Sequence, residues 1–392
     1  MGNKESRARD DFVIPDVADV EIPMQYARLN QSESNDPLGL STISTNDLPK
    51  KIIHTAFNGI WSVVAPERIS PQSRSGHFTV VDEENQIAYI GYGTSSNGEP
   101  LCDFWAFDLS AYTWRNIKLV GNGASPRNGA RAVLFNNKIY IFGGFLSGVY
   151  TNELQSIDIQ TGTVTVLETK GDIPERRSVA IMGLYNGKIF VWGGYNGQWL
   201  NSIHILDINT MVWSTIPTNE KGRSGVPSVV VDYNLISYGG SHTDGLFTIN
   251  MADPKIKIVP TTGFAPQSEV MNAGMVRANN LVFYFGGKDK NSNYTILYAL
   301  DYDKKWWFIF HVKPDGESVT MLDGNVSDNG IFMLPRIHSF GVAYSKVHRT
   351  IVAFLGLPYS DPPNLFLISI GEALGFINLR NDMSDALRYT SL

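Results

Sequence analysis

A six-bladed β-propeller with four-stranded antiparallel blades is the fold this sequence predicts, and three observations predict it. Two apolar strands ending in glycine recur six times along the chain, and a third apolar strand, often with a tryptophan, follows several of the copies. The composition is that of short strands and tight turns, with 36 Gly, 19 Pro and 11% aromatic residues in 392.

The six copies end at Gly93, Gly144, Gly194, Gly240, Gly287 and Gly356, in segments such as SPRNGARAVLFNNKIYIFGG and IPERRSVAIMGLYNGKIFVWGG. Successive steps are 51, 50, 46, 47 and 69 residues, a period typical of repeat architectures except in the last interval. That interval holds an insertion over about 312–334, rich in Gly, Asp, Asn and Ser, and loops of this length are often functional or disordered.

Third and fourth strands are read from FWAFDLSAYTWRNI with Trp114, IHILDINTMVWSTI with Trp213, and LYALDYDKKWWFIF with Trp306 and Trp307, while the second and fourth copies lack the Trp. One four-stranded sheet cannot bury both faces alone. Stacking such sheets around an axis does so, which predicts blades.

The Gly-Gly pairs at 143/144, 193/194, 239/240 and 286/287, with the spaced Trp, resemble the kelch family over residues 55 to 380. The first copy departs with Gly91-Tyr92-Gly93 and the sixth with Leu355-Gly356. The resemblance implies a kelch-type propeller, expected over 49–380 between tails at 1–48 and 381–392. A closed ring leaves no open sheet edge, and two segments compete to complete it: GIWSVV with Trp61, and GFINLR beginning at Gly375. Closure through Trp61 is the expectation.

Net charge is -6 with no Lys/Arg run, so the broad basic footprint of a nucleic-acid binder is missing. The single cysteine, Cys102, cannot form an internal disulfide, and no apolar stretch approaches 18 residues. With no signal peptide, a cytoplasmic location is expected. Residues 1–48 are polar and aperiodic, and are expected to be largely disordered or to lie across the propeller. Met1-Gly2-Asn3-Lys4-Glu5-Ser6 matches the N-myristoylation pattern. The match is short enough to arise by chance, and both readings stand. Acylation at Gly2 would give marginal, reversible attachment to the cytoplasmic face of a membrane.

Antiparallel alternation places the turn entering each blade and the segment after Gly-Gly on one face. The entering turns offer Arg74, Arg127, Arg176, Arg223 and Arg336, with Gln267 in the fifth copy. Converging on an opening, these arginines would grip carboxylates or phosphates in bidentate fashion. Alternatively they bond neighbouring carbonyls or a carboxylate of the next blade. The segments after Gly-Gly offer Phe145, Tyr150, Tyr195, Trp199, His242, Tyr294 and Tyr359, either as a binding rim or as packing between blades. Adaptors of the kelch family bind acidic peptide segments on this face through arginines at similar turns, so the resemblance implies the same here.

Seven histidines show no metal-ligand spacing, and there is neither a P-loop nor a Gly-x-Ser-x-Gly elbow, so no metal or cofactor is expected. His77 and His338 are read at one repeat position, which predicts a structural hydrogen bond. The kelch fold also includes copper radical oxidases and sugar mutarotases. The oxidases need a tyrosine crosslinked to cysteine, and Cys102 sits beside a strand of the first blade. A mutarotase needs only an acid-base pair near an arginine-lined opening, and stays open as a reading. About 50 residues before the first repeat are too few for the oligomerising domain of ubiquitin-ligase adaptors, so that class is disfavoured.

The function expected is therefore a protein-binding scaffold or adaptor for an acidic or phosphorylated segment. The alternatives are a small-molecule enzyme of the funnel and a structural component of a cytoskeletal or membrane-associated assembly.

Overall fold

The computed structural model describes residues 58–66, 69–121, 123–240, 245–289, 296–314 and 334–370. Gly2, both tails, His242, Tyr294, the segment GFINLR and most of the insertion lie outside these residues.

The second blade shows how a repeat folds. Arg131–Phe135 and Lys138–Phe142 form a hairpin, and Leu154–Asp158 and Val164–Leu167 complete the antiparallel sheet. Asn136 and Asn137 make the two-residue turn with φ of 48° and 59°, the left-handed pair that matches the strands' twist and that Asn tolerates. The second strand is buried from Ile139 to Phe142 without alternation, because neighbouring blades cover both of its faces.

The first blade is built from Phe78–Asp82, Ile87–Gly91, Phe104–Asp108 and Thr113–Asn116, and four more sheets follow the same order around the axis. The apolar core divides into six clusters, one in each of the six blade interfaces. Stability is thus a property of the ring, since each sheet buries its two faces only against its neighbours.

The last blade joins Gly341–Ser345, Thr350–Phe354 and Leu365–Ser369 to the N-terminal-side strand Asn58–Val64. Trp61 lies opposite Ile368 and is 1% exposed, so the ring closes through Trp61 as expected. Trp114, Trp213, Trp307 and Trp61 hold equivalent positions in the fourth strands, each packed against the preceding blade. Val164 and Ile256 take that place in the two blades without a Trp.

Short segments also run parallel to three of these outer strands: Lys170–Gly171 beside Trp213, Thr262–Gly263 beside Trp307, and His311–Pro314 beside Trp61. They cover backbone that would otherwise be an open edge. The start of the expected insertion, up to Pro314, is therefore strand.

Candidate functional site

Among the described residues, the turn entering a blade pairs with the segment after that blade's own glycine pair in five of the six blades, so both lie on one face. Arg74–Ser75 pairs with Thr94–Ser95, and single bridges join Asn128 to Phe145, Ser178 to Tyr195, Met271 to Lys288 and His338 to Leu357. Blades are then stitched to one another. Gly93 N–H donates to Arg127 O at 3.0 Å, Gly144 to Arg177 O at 2.8 Å, Gly194 to Arg223 O at 2.7 Å, Gly287 to Ile337 O at 2.9 Å, and Gly356 to Arg74 O at 2.9 Å.

This register fixes the arginine position of every blade and corrects the sequence reading at three of them. The position is held by Arg74, Arg127, Arg177 and Arg223, then by Val270, whose carbonyl abuts Gly239, and by Ile337. Arg176 and Arg336 each stand one residue earlier, Arg176 exposed and Arg336 half-buried. Gln267 lies three residues before Val270 and lines a separate 600 Å³ cavity with Tyr238, Glu269 and Asp289.

No ring of arginines lines the opening, because the four at this position are turned into their own blades and buried. Arg74 donates to Gln72 O and Tyr92 O and pairs through both terminal nitrogens with Asp103, at 2.5 and 2.8 Å. Arg127 repeats the pattern with Ser125 O, Gly143 O and Glu153. Arg177 does so with Glu175 O, Gly193 O and His204. Arg223 donates to Gly239 O at 2.8 Å and lies 5.1 Å from the centre of the Phe247 ring. Each arginine ties the turn to the glycine pair and to the third strand, which is the alternative role weighed for it above. A buried guanidinium needs these partners.

The aromatic residues after Gly-Gly form a continuous chain over the second and third blades. Phe145 stands 4.8 Å from Tyr150, Tyr150 6.2 Å from Tyr195, and Tyr195 5.7 Å from Trp199, between ring centres. The chain ends in the open: Trp199 is 63% exposed, and Val149 beside Tyr150 is 58% exposed. Tyr359, on the last blade, instead shares a hydrogen bond of 3.0 Å with Ser75 and helps to seal the joint between the last and first blades.

Inside this face lies the channel mouth. Gly76, Gly129, Val179, Gly225, Asn272 and Ser339 occupy one position of the six entering turns, all with φ between 47° and 68°. Their main chains bond head to tail around the axis, Gly129 N–H to Gly76 O, then Val179 to Gly129, Gly225 to Val179, Asn272 to Gly225 and Ser339 to Asn272, at 2.7 to 3.2 Å. Just within is a cavity of 370 Å³ lined by Ser75, His77, Asn128, Arg131, Asn272 and Ser339 among others. In this register His77 corresponds to Phe340 and His338 to Ser75, so the two histidines do not share a repeat position. His338 Nδ1 lies 3.1 Å from Ser339 Oγ, whereas neither ring nitrogen of His77 has a hydrogen-bond partner among the described residues.

Among the described residues no group of three His, Cys, Asp or Glu is placed to hold a metal, and Cys102 is exposed. No helix among them is long and apolar enough to cross a membrane. Sequence reasoning passed over Arg131 and assigned His77 a structural hydrogen bond that its ring nitrogens do not make among the described residues. The signal that would have found them is the Arg-x-Gly spacing of 74/76, 127/129 and 223/225, which fixes the axial position and hence the inward-facing residues that follow.

The KLHDC2/KLHL20/DRC7 Kelch-repeats domain matches residues 44–240, half of the chain, and the protein belongs to this kelch-repeat family. It is 30% identical over 171 residues to Kelch domain-containing protein 10 of Rattus norvegicus, covering 39% of this chain and 41% of that one. Kelch domain-containing protein 3 of Bos taurus is 25% identical over 211 residues, 47% and 54% of the two chains. Kelch domain-containing protein 1 of Homo sapiens is 25% identical over 173 residues, 36% and 43%. The matches span about half the length of these relatives or less.

Proposed function

We propose that this protein is a scaffold or adaptor whose entering-turn face binds a segment of another protein, with the aromatic chain Phe145–Tyr150–Tyr195–Trp199 as its anchor. The observation that carries this reading is Trp199, which leaves a large side chain 63% exposed at the end of a row of aromatics in tilted and edge-to-face contact. Exposed aromatic groups on a rigid frame dominate binding energy at interfaces, because they bury much area at little conformational cost. Arg176, exposed two residues before the Ser178–Tyr195 bridge, supplies a cation for an acidic or phosphorylated group on that segment. Membership in a kelch family supports a binding role for the face.

The test is affinity purification from native extract, comparing the intact protein with Trp199→Ala/Tyr150→Ala. Loss of the partners recovered by the intact protein is expected, and unchanged recovery sinks the assignment of the rim. On the Met1–Ser6 pattern alone, we also propose that Gly2 is myristoylated and brings the protein to the cytoplasmic face of a membrane. Intact-mass measurement of protein from its native cell, with no acyl chain found, would remove that part.

A further inference from the structure

We propose that the outer edge of the fourth blade, the strand Lys255–Val259, is covered by this chain's own segment Asp16–Ile22, added to the sheet as a further strand. The first ground is the edge itself. Four blades cover the outer side of their last strand with part of the linker that enters the blade. Lys170–Gly171, Thr262–Gly263 and His311–Pro314 do so in the third, fifth and last, and Val120, bonded to Gly162 and Val164 at 2.9 Å, in the second. Arg177 follows Leu167 by ten residues and Val270 follows Val259 by eleven, but Arg223 follows Ile216 by only seven. The linker into the fourth blade is too short to reach both the edge and the turn. Among the described residues no backbone pairs with Lys255–Val259 from outside. Such an edge presents a row of unpaired N–H and C=O groups to an extended chain.

Complementary patterning is the second, independent ground. Along the edge strand Lys255 and Lys257 are exposed, while Ile256 and Ile258 are half-buried and packed in the interface with the third blade. Lys257 meets no carboxylate among the described residues, and Lys255 meets only Asp253, in a pair exposed on both sides and therefore weak. A strand that matches this edge alternates acidic and apolar residues. Residues 10–22 hold five acidic side chains and no basic one, and Asp16–Ile22 is bounded by Pro15 and Pro23, which cannot donate to a ladder. Its period of two puts Asp19 and Glu21 on one face, and Ala18, Val20 and Ile22 on the other. Set beside Lys255–Val259, the acids meet the lysines and the apolar residues extend the row of Ile256 and Ile258. The first blade's outer strand, Thr113–Asn116, is also unpaired outside among the described residues, but it holds one basic residue and no such alternation.

Chain length favours the protein's own segment over a second molecule. The described chain begins at Asn58, in the outer part of the last blade and two blades from the fourth, with 35 residues between Ile22 and Asn58. A flexible stretch of that length spans roughly 30 Å on average and about 110 Å when extended. Two blades, with strands about 5 Å apart, lie within that reach. Covalent attachment makes the pairing intramolecular, at an effective concentration on the order of mM, which suffices for a contact too weak to hold a separate chain. The covered edge is on the side of the fourth blade and owes nothing to the aromatic row of the second and third.

The experiment follows amide hydrogen exchange of the full chain by mass spectrometry, in peptides containing residues 16–22 and 255–259, over a series of protein concentrations. Exchange of Asp16–Ile22 should be slowed about tenfold or more relative to an unstructured chain, equally at every concentration. Asp19→Lys/Glu21→Lys should abolish that protection and speed exchange at Lys255–Val259 in the same sample. Adding Lys255→Glu/Lys257→Glu to it should restore protection at both places, which a merely structural effect of either change would not do. Unprotected Asp16–Ile22 in the intact protein overturns the proposal, as does protection that survives the charge reversal. Protection that grows with concentration also overturns it, and assigns the edge to a strand from a second copy. Should the fourfold variant not fold, the charge reversal in Asp16–Ile22 decides by itself.

Discussion

Arg177 Nη2 stands 3.4 Å from His204 Nε2, a side chain two residues further along its blade than Glu153, which Arg127 meets, and Asp103, which Arg74 meets. The third blade thus closes the same latch with an imidazole instead of a carboxylate. Nδ1 of His204 faces Thr215 Oγ1 at 3.0 Å and Asp172 O at 3.3 Å, so Nδ1 bears the proton and Nε2 accepts from the guanidinium.

This arrangement sets a pH dependence. Burial foremost, and the Arg177 charge after it, lower the His204 pKa from 6.5 to about 4. Between those values the unfolded chain binds more protons than the folded one. The stability contributed is therefore full above pH 6.5 and lost as pH falls toward 4. His77, lowered to about 3, acts in the same direction. Urea midpoints should fall between about pH 7 and about pH 5, and less steeply in His204→Glu, which removes this titration and restores a carboxylate latch. Identical slopes for the two proteins would contradict the account.

The register of the latch predicts opposite outcomes for neighbouring arginines. Arg127→Met leaves Glu153, whose side chain is 36% exposed, without its counter-charge and frees Gly143 O and Ser125 O. Because Glu153 can partly rehydrate, the cost should be about 2 kcal/mol, below the 3–5 typical of a fully buried pair. Arg176→Ala, on an exposed side chain, should change stability by less than about 0.5 kcal/mol. Denaturant unfolding of the two variants measures the difference directly.

These arginines also show what the sequence could and could not reveal. The blades were legible because apolar strands, glycine pairs and turn residues recur with one period, and each signal has a local cause. Closure by Trp61 was legible because its segment has the form of a fourth strand lacking its repeat. The site was less so. Arg176 and Arg177 are adjacent, and Val179 takes with φ 47° a place where Gly76, Gly129 and Gly225 mark the turn in other blades, which hides a one-residue shift. Whether a guanidinium faces a channel or its own blade depends on partners such as Glu153 and His204, 26 and 27 residues away. Tyr92 hides a glycine position in the same manner: its φ is 63°, its carbonyl accepts from Arg74, and its hydroxyl donates to Gln155 at 2.7 Å.

The glycine pairs themselves make a third prediction. Gly143 has φ 70°, and a Cβ there would lie 2.5 Å from Arg177 O, the oxygen that accepts the interblade bond from Gly144. Gly143→Ala should cost more than about 2 kcal/mol, from left-handed strain and displacement of that oxygen together. Gly148 has φ 86° but nothing within 4 Å of its Cβ site, so Gly148→Ala carries the conformational strain alone, about 1 kcal/mol. Thermal unfolding of the pair separates strain from collision.

The last blade, completed by the N-terminal-side strand, is where the ring is most exposed to a single change. Trp61 is the large side chain of the one N-terminal-side strand in the last blade, packed among Phe285, Leu334, Ile337 and Ile368 in the interface with the fifth. Trp61→Ala should cost about 3–5 kcal/mol through loss of buried area and the cavity left behind. It should also loosen Asn58–Val64 from Leu365–Ser369, uncovering a strand edge that pairs with other molecules. Trp199→Ala removes an equally large ring from an exposed site and should shift stability by less than about 0.5 kcal/mol. Urea unfolding followed by light scattering across a concentration series distinguishes them. Aggregation that rises with concentration in Trp61→Ala alone is the outcome expected of a ring held shut by this strand, and equal behaviour of the two variants would assign closure to other contacts.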